Sequence, residues 1–530
     1  MVFTIFALTP SSPADSFANL HYYFPPARNS KPRTITVDVC VYGGTAGGVM
    51  AAIQSARLGR KVAMLENSDH IGGMTTGGLS WTDFGNKAAI GGIAREFYRK
   101  LGAHYGVPEE WNFEPHAAEE ALEAMVREAD VPVYRRQFLK SVRKQGPRIL
   151  SITTEDGLTV EAGMFIDATY EGDLMAKAGV SFTVGREGNA VYGETINGVQ
   201  IRGSHQFDRP VDPYVKPGDP ESGLLPGVNP SVEPAGTGDK RIQAYNFRLC
   251  LTREPVNRIP FSKPRKYRRD HYEMLARHLA AGWNEIFRKF DPIRGSKFDK
   301  NNHGSVSTDF IGMNYAWPEW SYSARERIFQ EHVDYVMGWF WFLCTDPAVP
   351  EEIRAKINEY GLCKDEFTDT GGWSRQLYVR EARRMVSDVV MNENHCRGKT
   401  VIEDSVGLGS YGMDSHNCQR VVVDGFVKNE GDVQVGGFPP YPVSYRAITP
   451  RKKECTNLFV PICLSASHIA YGSIRMEPVF MVLGQSAALA ADLALKRGVS
   501  VQDVPYNELR KALVEVGQVL EWKPTGGPAR

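Results

Sequence analysis

The chain has 530 residues, 62 of them basic and 62 acidic, and 42% are hydrophobic. This length exceeds a single compact core and predicts two or three domains, while the zero net charge argues against a dedicated nucleic-acid binder. No run of about 18 uninterrupted apolar residues occurs, so we expect no membrane span. The eight cysteines are scattered and form no C-x-x-C pair, so we expect no metal site.

The N-terminal segment differs in composition from the rest of the chain. Val2–Leu8 is apolar but only seven residues long, and no Lys or Arg precedes it, which makes it a poor signal peptide. Residues 9–33 are rich in Ser, Pro and Asn and predict an extended structure. We therefore expect an N-terminal arm over residues 1–35 and a cytoplasmic protein.

Residues 36–66 predict a strand, a glycine-rich turn, a helix and a second strand that ends in an acid. The turn reads Gly43-Gly44-Thr45-Ala46-Gly47-Gly48, with Thr45 where the usual G-x-G-x-x-G pattern has its middle glycine. Its glycines allow a tight turn and close packing of the helix, whose N-terminus offers N–H groups to a pyrophosphate. Glu66, about 20 residues further on, can accept both hydroxyls of a ribose. This order predicts a dinucleotide site.

Further elements follow in chain order. Residues 72–78 hold four glycines, so their backbone can approach a flat ligand closely. Residues 186–240 are rich in Gly, Pro and Asp and predict a loop-rich insertion that covers a site. Apolar spacing and strong helix formers predict helices at Ile93–Gly102, Ala117–Glu128, Tyr267–Ala281, Tyr322–Cys344, Ser374–Val390 and Pro478–Arg497. Predicted strands are Val131–Tyr134, Phe138–Val142, Ile149–Thr154, Leu158–Val160, Met164–Tyr170 and Asn457–Leu464, and Ser465–Glu477 is predicted as a loop.

Six segments together resemble the FAD-dependent oxidoreductase family with the glutathione-reductase type of flavin fold. The nearest branch is a large bacterial and fungal group whose members are often mislabelled "xanthan lyase". The matching segments span roughly residues 36–500 and are Val41–Gly48, Gly72–Gly78, Phe165–Asp173, Ser305–Phe310, Leu377–Arg384 and Gly472–Pro478.

The resemblance implies an α/β fold with a Rossmann-like FAD-binding domain, which combines a parallel sheet, helices and a small β-meander. It also implies an inserted α+β substrate or cap domain. The expected boundaries are the arm at 1–35, the first part of the FAD-binding domain at 36–190, the substrate-binding or cap region at 191–410, and the C-terminal part of the FAD-binding domain, with a flavin-facing helix, at 411–530.

The same resemblance assigns the cofactor FAD to particular residues. It implies that the pyrophosphate lies at the 43–48 turn and the adenosine ribose at Glu66. It also implies that the helix from Pro478 points its N-terminus at the O2 edge of the flavin, where a reduced flavin is negatively charged. The implied cofactor-binding residues are Gly43, Gly44, Thr45, Gly47, Gly48, Glu66, Gly72, Gly73, Met74, Thr75, Ala168 and Thr169.

Oxidation of a substrate by a flavin needs a base and a group that holds the substrate. His416, two residues after Asp414, is a candidate base, although a loop histidine with a structural hydrogen bond fits the same pattern. His468 and Arg475 lie just before the flavin-facing helix, and Arg475 could instead pair with Glu477. Arg446 could grip an anionic or polyhydroxyl substrate.

The sequence therefore predicts an FAD-dependent oxidoreductase that oxidises a polar small molecule, either a sugar-like alcohol or a biosynthetic intermediate. Hydride would pass to the flavin with assistance from a base. Two alternatives stay open: a flavoprotein that catalyses a non-redox elimination or isomerisation, and a cofactor-stabilised binding protein without turnover. No second glycine pattern suggests an NAD(P)H domain, so we expect electrons to leave for O2, a quinone or another carrier. The sequence leaves the oligomeric state open.

Overall fold

The computed structural model describes residues 17–26 and 31–523, so Val2–Leu8 and most of the predicted arm lie outside the described residues. Strand β1 already begins at Arg33, within the segment predicted as arm. The α-helices are α1 (Ala46–Arg57), α2 (Gly92–His104), α3 (Pro115–Glu128), α4 (Asp173–Lys177), α5 (Asn189–Tyr192), α6 (Glu273–Ala280), α7 (Tyr322–Thr345), α8 (Glu351–Ile357), α9 (Glu393–Cys396), α10 (His468–Ile474), α11 (Glu477–Arg497) and α12 (Tyr506–Glu515).

The strands are short apart from those at the centre of the main sheet. They are β1 (Arg33–Tyr42), β2 (Val62–Leu65), β3 (Val133–Tyr134), β4 (Leu139–Gln145), β5 (Arg148–Thr154), β6 (Leu158–Asp167), β7 (Phe182–Thr183), β8 (Val228–Asn229), β9 (Leu249–Thr252), β10 (Arg258–Ile259), β11 (Phe290–Ile293), β12 (Lys297–Lys300), β13 (Gly361–Cys363), β14 (Arg384–Met385), β15 (Ser405–Gly409), β16 (Met413–Ser415), β17 (Gln419–Val423), β18 (Phe426–Glu430), β19 (Val433–Val435), β20 (Tyr441–Ser444) and β21 (Leu458–Phe459).

The main sheet has the order β3-β2-β1-β6-β5-β4, and β21 also pairs with β6. Strands β3, β2, β1, β6 and β21 run parallel, whereas β5 and β4 form an antiparallel meander beside β6. In the register, Tyr42 of β1 pairs with Leu65 of β2 and with Asp167 of β6. Because parallel strands end at a common edge, the turn after β1, the acid after β2 and the loop after β6 meet there.

Helices α1 and α11 pack against each other at glycines. An ideal Cβ at Gly47 would lie 2.7 Å from the Phe480 carbonyl oxygen, and one at Gly484 would overlap the carbonyl of Gly47. This close approach accounts for the small residues of α11. By composition α11 is also long and apolar enough to cross a membrane, with a mean hydropathy of 1.5, but 89% of its apolar window is buried inside the protein.

The helix predicted at Ser374–Val390 is wrong. The described backbone there is irregular apart from β14. Three of its basic residues are spaced as on one face of a helix, but each reaches a different acid: Arg380 lies 2.9 Å from Asp309, Arg383 2.8 Å from Asp173 and Arg384 3.0 Å from Glu187. Charges placed for separate distant partners imitate one face of a helix.

Several boundaries also differ from the prediction. The loop predicted at Ser465–Glu477 contains α10, because the Ser467 side chain caps its first turn by accepting from the N–H of Ala470. The two strands predicted at Leu158–Val160 and Met164–Tyr170 form the single strand β6. Within Tyr267–Ala281 only α6 is α-helical, and within Asn457–Leu464 only β21 is a strand.

A second sheet lies within the region predicted as substrate-binding. Its order is β10-β13-β9-β12-β11, and all its neighbouring strands are antiparallel. The preceding segment at 186–240 is loop-rich, and its described helix α5 has four residues. The four domain boundaries and the covering role of this region stay predictions.

Candidate active site

The glycine turn after β1 holds the backbone in a form that other residues would strain. Gly43 has φ +103°, and an ideal Cβ there would lie 2.6 Å from the carbonyl carbon of Ala168. A Cβ at Gly48 would overlap the carbonyl of Gly43. Only glycine therefore fits at these two positions, where the turn and the first residues of α1 pack against backbone.

Thr45, the departure from the glycine pattern, is the N-cap of α1. Its Oγ1 accepts a hydrogen bond from the N–H of Gly48 at 3.2 Å and donates to the carbonyl of Ala168 at 2.8 Å. The threonine thus ties the helix N-terminus to the loop after β6, and it satisfies one of the N–H groups left free at a helix start.

Glu66 closes the same edge of the sheet. Its carboxylate accepts from the N–H of Gly44 at 2.6 Å and from the N–H of Ser68 at 2.8 Å. Burial raises the pKa of Glu66, and these two donors partly offset that rise. Glu66 lines a cleft together with Gly43, Thr45 and Thr169.

A buried hydrogen-bond chain joins three segments expected beside the flavin. The N–H of Met74 donates to the Tyr170 hydroxyl at 2.9 Å, and that hydroxyl donates to Glu477 Oε1 at 2.7 Å. Thr75 Oγ1 donates to Glu477 Oε2 at 2.9 Å. The chain fixes the loop that starts at Gly72, which has φ +100°, and Gly73, which has φ +54°, against the N-terminus of α11.

The pair expected between Arg475 and Glu477 is not formed. Glu477 is used by Tyr170 and Thr75, and burial raises its pKa to about 7 although both donors lower it. Arg475 instead donates to the Tyr378 hydroxyl at 3.0 Å and contacts Asp414 Oδ2 at 3.3 Å. Glu477 therefore belongs to the hydrogen-bond chain with Tyr170 and Thr75, and Arg475 belongs to a separate group with Tyr378 and Asp414.

His416 lies between two carboxylates. Its Nδ1 is 3.2 Å from Asp309 Oδ2, and its Nε2 is 3.7 Å from Asp414 Oδ2. Burial by itself would raise the pKa of Asp309, but the charge of Arg380 and the hydrogen bond to His416 lower it to about 2. Asp414 shows the same opposition: burial raises its pKa, and the neighbouring His416 and Arg475 lower it overall. Both acids therefore stay ionised at neutral pH.

His468 belongs to a second network on the other face of β16. Its Nε2 is 2.9 Å from Ser415 Oγ, and its Nδ1 is 2.7 Å from Glu381 Oε2. Glu381 accepts from Gln243 Nε2 at 2.9 Å, and Gln243 Oε1 accepts from the N–H of His416 at 3.2 Å. His468 is buried, and this network of hydrogen bonds links it to the backbone of His416.

Arg446 is not brought to these clusters. Its Nε pairs with Asp404 Oδ2 at 2.9 Å, and more than half of its side chain is exposed. Two groups in the described chain have donor spacing suited to a metal, with ligand atoms within 4.8 Å of one another: His205, His416 and Asp432, and Glu114, His116 and Glu366. The expectation that the site holds no metal stays a prediction.

Sequence reasoning missed the acid that holds His416 and the tyrosine that holds Glu477. Asp309 lies in the Ser305–Phe310 segment and Tyr170 in the Phe165–Asp173 segment, both among the segments that carry the family resemblance. Their place in these segments was the signal in the sequence that could have identified them. Their partners are 107 and 307 residues away in the chain, and spacing along the sequence does not reveal such pairs.

A comparison with known protein families gives a match over most of the chain. A sequence model of the family described as "FAD dependent oxidoreductase" matches residues 38–513. The chain belongs to this family. Its cofactor is therefore FAD, and the glycine turn, the N-terminus of α1 and Glu66 fit the nucleotide. A search of curated protein sequences gives no match.

Solved structures resemble parts of this chain. The Diels-Alderase PyrE3 of pyrroindomycin biosynthesis is 22% identical over 29% of this chain and 36% of its own, with a TM-score of 0.20. THI4 from Thermovibrio ammonificans is 22% identical over 29% of this chain and 66% of its own, with a TM-score of 0.22. L-proline dehydrogenase from P. horikoshii is 16% identical over 30% of this chain and 59% of its own, with a TM-score of 0.24. The chain thus spans less than two thirds of each, and such partial likeness carries no argument about its reaction.

Proposed function

We propose that this flavoprotein oxidises a polar small molecule that bears a hydroxyl group, either a sugar-like alcohol or a biosynthetic intermediate, with His416 as the base. The observation that carries the proposal is the Asp309–His416–Asp414 cluster. FAD, when bound, supplies the acceptor for the hydride. The protein must then remove the hydroxyl proton, hold the substrate oxygen and keep the charges balanced.

The cluster and the segments expected beside the flavin are adjacent. Arg475, which holds Asp414, is two residues from Glu477, which is bound to Tyr170 and Thr75. A substrate placed between them would therefore face both the base and the cofactor. This adjacency supports a single active site rather than two separate ones.

His416 is equipped to take a proton. Asp309 holds its Nδ1, while its Nε2 is 3.7 Å from Asp414, which is longer than a hydrogen bond, so a substrate hydroxyl would be the partner of that nitrogen. When Nε2 accepts the proton, the two ionised carboxylates stabilise the positive charge on the imidazole ring. This is the role of a positioned general base.

Arg475 supplies a donor for the substrate oxygen. Its Nε is buried and has no hydrogen-bond partner among residues 17–26 and 31–523. A buried guanidinium N–H without a partner is costly, and an oxygen of a bound substrate would satisfy it. The acids and cations around His416 offset each other, which favours a neutral hydroxylated substrate over a strongly charged one.

The test follows reduction of bound FAD, by loss of its visible absorbance, under anaerobic conditions with a panel of polyols, sugars and hydroxy acids. We expect at least one neutral hydroxylated compound to reduce the flavin. The variant His416→Ala should slow this reduction by about 10²–10⁴-fold, while His104→Ala, an exposed position at the end of α2, should not change it. An unchanged rate in His416→Ala would exclude His416 as the base. A flavin that no compound reduces, while a compound is nonetheless converted, would favour the non-redox alternative.

A further inference from the structure

The segment 17–26 lies across the nucleotide cleft. His21 and Tyr22 line the cleft that is also lined by Gly43, Thr45 and Glu66. Those three residues belong to the turn after β1 and the acid after β2, where the family places the pyrophosphate and the ribose. The segment therefore forms part of the wall of this cleft.

One acid of helix α7 anchors this segment through its backbone. Glu326 Oε2 accepts from the N–H of Tyr22 at 2.7 Å and from the N–H of Tyr23 at 2.9 Å. Its Oε1 lies 2.8 Å from Nδ1 of His21. A single carboxylate thus holds three consecutive residues.

Side chains pin the same stretch more firmly. The ring of Tyr22 meets that of Trp317 edge-on, with centroids 4.7 Å apart, and its hydroxyl accepts from Arg325 at 3.2 Å. Leu20 is buried in the main core, and its carbonyl accepts from Gln330 Nε2 at 2.8 Å. The segment is therefore packed against the body of the protein.

The segment also reaches the opposite rim of the cleft. Asn19 Nδ2 donates to the carbonyl of Asp369 at 3.3 Å, and the Asp369 carboxylate contacts His70 at 3.0 Å and Arg375. His70 and Arg375 both line the cleft. The segment therefore spans from α7 on one side to this ion-pair group on the other.

We propose that residues 17–26 are a strap across the nucleotide half of the FAD site, which contacts the cofactor through His21 and Tyr22 and retards its release. FAD under the strap leaves only when the strap detaches. The inference concerns retention of the cofactor, so it holds whichever substrate the flavin oxidises.

The release rate of FAD tests the strap. Holoprotein is diluted, and the fluorescence of free FAD is followed in the absence of substrate. We expect Glu326→Ala to release FAD about tenfold faster or more, since it removes backbone hydrogen bonds to a charged acceptor and a factor of ten corresponds to about one such bond. The matched control is Glu331→Ala, an exposed acid on the same helix, which should release FAD at the wild-type rate. Equal rates for Glu326→Ala and wild type would overturn the proposal.

Limited proteolysis gives a second measurement that needs no variant. Chymotrypsin cleaves after aromatic residues that do not precede proline, and Phe17, Tyr22 and Tyr23 supply three sites within the strap. We expect FAD to protect these sites in the wild-type protein, because the cofactor and the strap stabilise each other. Cleavage at the same rate with and without FAD would overturn the proposal even if Glu326→Ala failed to fold. A protein with a protected strap but no reducible substrate would contradict the proposed oxidation alone.

Discussion

Replacement of Gly484 by alanine tests the contact between α1 and α11 that shapes the cofactor site. An ideal Cβ at this position would overlap the carbonyl oxygen of Gly47, which lies in the first turn of α1. Because that atom belongs to the backbone, no side-chain rotation relieves the overlap. The variant Gly484→Ala must therefore push the two helices apart or distort one of them.

Two opposing effects set the size of the result. Overpacking of a tight core costs about 1–3 kcal/mol, and overlap with a backbone atom belongs at the upper end of that range. Alanine favours the helical conformation over glycine, so the replacement by itself would raise the unfolding free energy by about 1 kcal/mol. We therefore expect a net loss of about 2 kcal/mol of unfolding free energy. FAD affinity should fall about tenfold, since a shifted α1 moves the N–H groups that face the pyrophosphate.

Urea unfolding of the flavin-free protein and titration with FAD measure the two quantities. Gly203→Ala serves as the control, because an ideal Cβ there has no heavy atom within 4 Å, and it should match the wild type in both. If Gly484→Ala unfolds at the wild-type urea concentration and binds FAD equally well, the helices are further apart than the structure shows, and the reasoning is refuted.

Two further outcomes are expected. Burial raises the pKa of Glu477 to about 7 in the folded protein, against 4.5 ordinarily, so the wild type should lose about 3 kcal/mol of unfolding free energy as pH rises from 4.5 to 7. In urea unfolding of the flavin-free protein, Glu477→Gln should match the wild type near pH 5 and exceed its stability by up to that amount at pH 8. A difference that does not change with pH would contradict the burial of an ionisable Glu477. Thr45→Val, which keeps a methyl group but loses the hydroxyl, should lose about 1 kcal/mol of stability with the N-cap. Thr45→Ser, which keeps the hydroxyl, should lose less in thermal unfolding, and a loss for Thr45→Val no larger than that for Thr45→Ser would contradict a stabilising role of the cap.

The dinucleotide turn illustrates what sequence patterns can predict here. Strand β1, the turn, α1 and Glu66 form from contiguous residues, so local glycine geometry and apolar spacing suffice to place them. Helices α2, α3, α7 and α11 were likewise found at nearly their observed bounds, because each buries one apolar face or carries residues that favour helix.

By itself, then, the sequence determined the parallel sheet, the fingerprint of the cofactor and the family to which the chain belongs. Tertiary structure alone decided the partners of the ionisable groups: Asp309 for His416, Tyr170 and Thr75 for Glu477, and Asp404 for the exposed Arg446. The physical reason is that a buried charge must find its partner wherever the fold brings one, at any distance along the chain. For the same reason the arginines at 380–384 imitated a helix that the structure does not contain.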